Sequence, residues 1–396
     1  MVLSKTLIVV VAARITEWAE KGELSPGYFN PDNRFQRVVV ISLVEDNAAK
    51  EVVGYLCGSK EYSFISLNLL SVSGLLRSVG FSAVLMRVVV KREVVPRLSK
   101  QDNFVVRAYG DTFAGKFAAI LADALKCRSI ASIHTTFTHL PPTAKLSLKN
   151  KCIRFLEGSA RAFAHKNLDV LAPVYSPIIA SIPAAYRSKV CVIPNAVDVG
   201  PENAKTSYSA SGILKIVTVG RLVPGKSPLP ILHGLRDLEG WHLTVIGNGP
   251  CLSDLKDWVE RNGKETTVRF IPSMRNKELV ETLRKFDVFA AHTSYAEIPK
   301  TVIEAGLVGL PVILNRPDRF AASEYENAPI LWCQGDAEGY KHVFEGFSAS
   351  RERWLEIGNA SRKHFEKWFS PVFAGKSMAD LLSQNTNDFP HSSNEE

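Results

Sequence analysis

Eleven short runs of apolar, largely β-branched residues recur along the 396-residue chain, separated by stretches of helical periodicity. In the first half they fall at 7–13, 38–43, 104–108, 129–134, 168–172 and 190–193. In the second half they fall at 214–219, 242–246, 268–271, 288–291 and 311–314. A strand that is apolar at every position, not only at alternate ones, must be covered on both faces. Alternation of such strands with helices predicts parallel sheets between helical layers, so each half is expected to form one doubly wound, Rossmann-like α/β domain. The length agrees, because a chain of this size exceeds what one hydrophobic core usually supports.

Residues 195–212 (NAVDVGPENAKTSYSASG) are polar, rich in Ser, Asn and Gly, and without periodicity, which marks them as a linker. The expected division is an N-terminal domain over 1–200, a C-terminal domain over 213–370, and a final helix with a frayed tail over 371–396. Two such domains joined at a linker are expected to face each other across a cleft at the carboxyl ends of both sheets, where ligands bind in this fold class.

Composition narrows the function. With 46% hydrophobic and 22% charged residues, collagen-like, low-complexity and wholly disordered readings fail. The net charge of +8 is lopsided: residues 1–200 carry 25 Lys and Arg against 15 Asp and Glu, whereas 201–396 carry 23 against 25. The two halves should therefore have different tasks. Cys57, Cys127, Cys152, Cys191, Cys251 and Cys333 are scattered, with no Cys-x-x-Cys and no His at metal-ligand spacing. This argues against a zinc site or a disulfide framework and suits a reducing compartment. The run at 7–13 is short and follows a single Lys, reading as a buried first strand in place of a signal peptide. No stretch reaches the roughly 18 apolar residues of a membrane span. A cytoplasmic protein is expected, with attachment to the cytoplasmic membrane face as an open alternative.

Two segments of the second half carry chemistry. The strand ending at Val219 runs into Gly220-Arg221-Leu222-Val223-Pro224-Gly225-Lys226, a glycine turn with two cations five residues apart. A guanidinium and an ammonium together can neutralise a diphosphate, most effectively when it departs and gains charge. A pair of surface cations on a loop is the competing reading. Further on, AHTSYAEIPKTVIEA (291–305) turns from strand to helix near Pro299, a favoured first helical residue. The free N–H groups of Lys300 and Thr301, with the positive end of the helix dipole, then form an anion site. Glu304, about a turn and a half inside, reads equally as an acceptor for ribose hydroxyls or as a solvated face residue. Glu297 reads equally as a helix-terminus charge.

The ordered set VGRLVPGK (219–226), VIGNGP (245–250), VRFIPSM (268–274), IPKTVIEA (298–305) and GLPVI (309–313) resembles the donor half of the retaining nucleotide-sugar glycosyltransferases of family 4, with the GT-B architecture. The resemblance implies that Arg221 and Lys226 grip the donor diphosphate, that Glu304 holds the ribose, and that Gly220 and the Ile298-Pro299-Lys300-Thr301 segment line the donor site. It implies a nucleotide-diphosphate sugar as co-substrate, no essential metal, and a glycan or lipid-linked acceptor. In the family a first Glu lies eight positions before the second, near the donor sugar. Here that position is Ala296, and the acid is Glu297, seven before Glu304.

In the basic half, His134 closes a predicted strand and, at a cleft-facing strand end, is a candidate to touch the donor sugar or the reacting oxygens. Taken alone it reads more readily as a structural histidine; the resemblance supports the functional role, because family members often carry a His there. Arg107-Ala108-Tyr109 and Val192–Asp198 also look like family segments, and Trp18–Glu23 with Tyr28–Pro31 form a long loop after the first strand that could touch the acceptor. Leu75–Arg92 mixes an apolar stripe with Arg77, Arg87, Lys91 and Arg92, which fits an anionic membrane surface or a packing helix with a basic edge. No RNA-binding aromatic signature, basic zipper or zinc finger accompanies the basicity, so nucleic acid is not an expected partner. Asp-x-Asp and His-Glu-x-x-His are missing from the sequence, which removes metal-chelating transferase and zincin readings. Competing readings are a sugar-nucleotide epimerase or phosphorylase of the same fold, and a non-catalytic nucleotide-sugar-binding subunit.

Overall fold

A computed structural model describes residues 5–20, 25–59, 61–70, 82–99, 103–134, 148–208, 212–295, 297–316 and 322–384. The chain divides into two compact units, Met1–Asn195 with Ala374–Glu396, and Ala196–Phe373.

The first unit is built on a six-stranded sheet: β1 (Lys5–Val11), β2 (Arg37–Ser42), β3 (Glu61–Ser66), β4 (Asn103–Tyr109), β5 (Arg128–Ile133) and β6 (Val170–Pro173). Every neighbouring pair is parallel and the order is β3-β2-β1-β4-β5-β6, the doubly wound arrangement. The helices are α1 (Ile15–Glu20), α2 (Lys50–Cys57), α3 (Ala83–Val89), α4 (Phe113–Leu125) and α5 (Leu148–Asn167). The central strands are buried along almost their whole length, as continuous apolar runs require. The edge strand β3 was not among the expected runs. Its sequence EYSFIS is half exposed and lacks a continuous apolar signal. The run at 190–193, expected as a strand, forms only a single bridge from Val190 to Leu171, with the Cys191 and Ile193 N–H groups donating to the carbonyls of Leu171 and Pro173. Pro194, which has no N–H to donate, follows at once, so the pairing goes no further.

The second unit repeats the plan: β7 (Leu214–Val219), β8 (Trp241–Ile246), β9 (Val268–Ile271), β10 (Val288–Ala291), β11 (Val312–Asn315) and β12 (Ile330–Cys333), in the order β12-β11-β10-β7-β8-β9. Counted from its own first strand, this is the same winding as in the first unit. Its helices are α6 (Leu229–Leu235), α7 (Leu252–Arg261), α8 (Asn276–Leu283), α9 (Lys300–Val308), α10 (Ala337–Ala349) and α11 (Trp354–Phe369). One core cluster joins Leu214, Ile216, Leu243 and Val288 of the sheet to Tyr340, Phe344 and Trp354 of the helices. The Trp354 ring stacks on Phe347 at 4.5 Å, and its indole N–H donates to the Phe347 carbonyl. Edge strand β12 is another element the sequence did not announce.

The last helix, α12 (Pro371–Ser383), packs with the first unit, and residues beyond 384 lie outside the described ones. Its Met378, Leu381 and Leu382 enter that unit's core beside Val9, Val38 and Val105. Asp380 pairs with Arg34 at 3.1 Å, and the Lys5 ammonium donates to the Ser383 carbonyl at 2.7 Å. All five described cysteine side chains are free thiols.

Candidate active site

In a doubly wound sheet, ligands bind where the strand order reverses, beyond the carboxyl ends of the two strands at that point. In the second unit these are β7 and β10. The loop after β7 is the Gly220–Lys226 turn; the loop after β10 leads through Tyr295 and Glu297 into α9. The two cation-bearing and acid-bearing segments singled out in the sequence therefore meet at the switch point.

The turn is seated by glycines on the neighbouring strand. Gly247 and Gly249, just past β8, both adopt φ +155°. A Cβ on Gly247 would stand 1.9 Å from the Gly220 carbonyl oxygen, and one on Gly249 would stand 2.4 Å from that of Leu222. The Gly220 N–H donates to Ile246 and the Leu222 N–H to Asn248, both at 3.0 Å. V-I-G-N-G-P is thus a seat on which the Gly220–Lys226 turn rests. Gly220 itself is exposed, with no atom within 4 Å of where a side chain would start.

Three contacts tie the turn to the loop after β10. Lys226 forms an ion pair with Glu297, their side chains only 19% and 10% exposed. The Ser294 N–H donates to the Gly225 carbonyl at 2.8 Å, and the Tyr295 hydroxyl donates to the Pro224 carbonyl at 2.7 Å. The Lys226 ammonium also lies 5.5 Å from the Tyr295 ring centre, a cation–π distance. Arg221 is exposed and has no ion-pair partner among the described residues. The loop after β10 is itself braced by Asn315 at the end of β11, which accepts from the Thr293 N–H and donates to the Thr293 carbonyl, each at 2.9 Å.

Helix α9 begins at Lys300, with Pro299 as its N-cap rather than its first helical residue. Its extended backbone (ψ 133°) turns the chain into the helix, and its carbonyl accepts from Val302 and Ile303. The N–H groups of Lys300 and Thr301 find no acceptor among the described residues. The Thr301 hydroxyl donates to the Val219 carbonyl at 3.1 Å, fixing this open helix end beside Gly220. Ile298 is buried beneath it. Glu304, 1% exposed, is no solvated face residue: its Oε1 accepts from the Asn276 amide at 2.6 Å and pairs with Lys300 at 3.3 Å. Gly220, Lys226, Glu297, Ile298, Pro299, Lys300 and Thr301 are thus one cluster, with Arg221 on the rim and Glu304 behind it. Ala296 lies outside the described residues.

His134 belongs to the first unit, one residue past β5. Its imidazole stacks on Tyr109 with 8° between ring planes and 5.6 Å between centres. The Arg107 guanidinium lies 4.5 Å from the centre of the same Tyr109 ring and donates to the Ser132 hydroxyl at 3.0 Å. Burial, reinforced by the Arg107 charge, lowers the His134 pKa from 6.5 to about 4, against a hydrogen bond to the Asn195 side chain that acts the other way. His134 Nε2 is buried with no hydrogen-bond partner among the described residues. Trp18, Tyr28 and Phe29 pack around Tyr109 at 5.4–6.2 Å between ring centres. This aromatic group sits beyond the carboxyl ends of β1 and β4, the switch point of the first sheet.

Sequence reading did not find Asn276, Tyr295 or Asn315. Each acts on a residue far along the chain, and a lone Asn or Tyr in a loop carries no periodic or spacing signal. Among the described residues, no group of three or more His, Cys, Asp or Glu could hold a metal ion.

Residues 202–363, inside the second unit, match the family described as glycosyl transferases group 1. Among curated proteins, sulfoquinovosyl transferase SQD2 of Arabidopsis thaliana is 28% identical over 158 residues, 39% of this chain and 30% of that protein. The chain thus aligns with less than a third of that relative's length. Among solved structures, HepE of Anabaena in complex with UDP and glucose superposes with a TM-score of 0.66 at 13% identity, covering 96% of this chain and 100% of that one. Sucrose-phosphate synthase of Thermosynechococcus elongatus gives 0.66 at 13% identity over 95% and 98%. The fold is GT-B. Within it, the group 1 match takes in the whole cluster from Gly220 to Glu304.

Proposed function

We propose that the protein is a retaining glycosyltransferase that moves a sugar from a nucleotide-diphosphate sugar to an acceptor hydroxyl, on a glycan or a lipid-linked substrate, with no essential metal. The observation that carries this reading is the meeting, at one switch point, of the Gly220 turn, the Lys226–Glu297 pair and the open N-terminus of α9. In this reading the donor diphosphate replaces Glu297 as the partner of Lys226. Arg221 closes on the phosphates from the rim, and the Lys300 and Thr301 N–H groups supply the helix-terminus contribution. As the glycosidic bond breaks, the pair of electrons leaves with the diphosphate, whose growing charge is met by these cations. Glu297, released from Lys226, accepts from hydroxyls of the donor sugar, and Glu304, aimed by Asn276 and Lys300, accepts from the ribose. The acceptor hydroxyl, held by the first unit, attacks from the face the diphosphate leaves and passes its proton to the departing diphosphate oxygen, so the anomeric configuration is kept. His134, neutral at physiological pH, contacts the donor sugar or the reacting oxygens. A uridine nucleotide is the first donor to try, because the HepE structure holds UDP.

The test is a thermal-shift screen against nucleoside diphosphates and their sugars, followed by proton NMR of the product's anomeric coupling. A ligand that binds only the folded state raises the melting temperature by mass action. Retention predicts an α product from an α donor; a β product overturns the retaining assignment. A second reading, a nucleotide-sugar-binding subunit without turnover, is favoured by the placement of Glu297 seven residues before Glu304. Saturable donor binding with neither transfer nor hydrolysis across a broad acceptor panel would decide for it.

A cytoplasmic location with peripheral attachment completes the proposal. Val84, Leu85 and Val88 of α3 are exposed, at 66%, 39% and 39%, next to Arg87, Lys91 and Arg92. Residues 75–81 of the same segment lie outside the described ones. No helix among the described residues is long and apolar enough to cross a membrane. Co-sedimentation with phosphatidylglycerol vesicles, weakened by Val84→Glu and by salt, is the expected result. No sedimentation at low salt removes the membrane surface from the proposal.

A further inference from the structure

The second sheet has an open edge at β12, which pairs on one side with β11 and has no strand on the other among the described residues. An open groove of about 550 Å³ lies there, lined by residues 329–332, by α10 and by the start of α11. That volume is in the range of small-molecule sites. It shares no lining residue with the Lys226–Glu297 cluster.

The lining has two characters. Leu331, Val343, Phe347 and Ile357 are apolar, whereas Arg316, His342 and Arg353 supply basic groups, and among the described residues no lining residue is acidic. Arg353 has an exposed partner, Glu356, at 3.7 Å. Arg316 forms no ion pair among the described residues; its guanidinium lies 6.0 Å from the centre of the Trp332 ring, which also lines the groove. A cation over an aromatic face beside apolar surface, with no carboxylate among the described lining residues, is complementary to an anionic group on an apolar body.

Gly346 adds an independent observation. It lies in the interior of α10, where glycine is the least favourable residue after proline. Its backbone is ordinary helix, and no atom stands within 4 Å of where its Cβ would be, so neither conformation nor close packing calls for it. What glycine does there is leave the groove wall open.

We propose that this groove binds an amphipathic anion, its apolar body against Leu331, Val343 and Phe347 and its phosphate or carboxylate at Arg316. Two probes separate the sources of such a ligand: dodecyl phosphate, below its micellar concentration, for a lipid, and 2-naphthyl phosphate for a soluble aromatic metabolite. Calorimetric titration of the full chain is expected to give one saturable site for at least one of them, with inorganic phosphate and octyl glucoside not binding. Arg316→Ala should weaken it about tenfold or more, and Gly346→Leu should abolish it. Gly346→Ala, which puts only a methyl group into open space, should still bind and melt no lower than the parent. Failure of both probes to bind at millimolar concentration overturns the proposal, as does equal binding by the parent, Arg316→Ala and Gly346→Leu. Should Gly346→Leu not fold, Arg316→Ala decides.

Discussion

Lys226 lies between a carboxylate and an aromatic ring, Glu297 and Tyr295, and both are contacts that an incoming diphosphate can displace or share. Lys226→Ala should therefore cut kcat for donor turnover by about 10²–10³, the usual loss on removing one charge-stabilising donor. Circular dichroism should show an unchanged fold. The seat beneath the turn makes a different demand. Gly247→Ala would drive a methyl group into the Gly220 carbonyl at a φ that only glycine adopts readily, and should cost about 2–3 kcal/mol or more in urea unfolding. At His134 the buried, Arg107-facing imidazole holds its proton less tightly than an unfolded one, so the unfolded chain binds the extra proton between about pH 6.5 and 4. Stability from this residue is thus complete above pH 6.5 and is lost as pH falls toward 4. The imidazole resonances of His134 should titrate near pH 4; a midpoint near 6.5 would contradict the buried stack on Tyr109.

At the scale of elements, α5 is hooked to the loop after β4 by one carboxylate. Asp111 accepts from Arg161 at 2.9 Å and contacts His165 at 2.8 Å, both on α5, with Asp111 and His165 almost fully buried. Asp111→Ala strands these groups, and a loss of about 3–5 kcal/mol in chemical denaturation is expected; a loss below 1 kcal/mol would show that the pairing does not hold the helix. The same scale explains what could be read from the sequence. Central strands such as β1 and β10 are apolar and buried over most or all of their length, because helices cover both faces, and so they announced themselves. Edge strand β3 (EYSFIS) is half exposed, and β12 (ILWC) has a single β-branched residue, so neither did, whereas the equally short edge strands β6 and β9 were legible as apolar runs. The Gly220–Lys226 turn and the Pro299–Thr301 helix start are local chemistry, legible as spacing. Asn276 on Glu304 and Asn315 on Thr293 exist only once distant strands and helices are side by side.

At the scale of the whole molecule, two copies of one winding carry different charge, and the near-neutral half holds the proposed donor cluster with a few placed cations rather than a net field. The chain closes by returning α12 to the first unit, which the expected boundary at 371 treated as an appendage. Removing 374–396 takes Met378, Leu381 and Leu382 from that core, each worth about 1.5–3 kcal/mol of burial. The truncated protein should melt well below the full chain or fail to accumulate in soluble form. The central claim is that the Gly220–Glu304 cluster holds the diphosphate of a nucleotide sugar. Its most direct test is calorimetric titration of UDP and its sugars into the full chain and into Lys226→Ala. One saturable site is expected, weakened about 10–100-fold by the substitution in a protein of unchanged circular dichroism. Equal affinity in the two proteins, or no nucleotide diphosphate bound by the parent across the other bases as well, would contradict it.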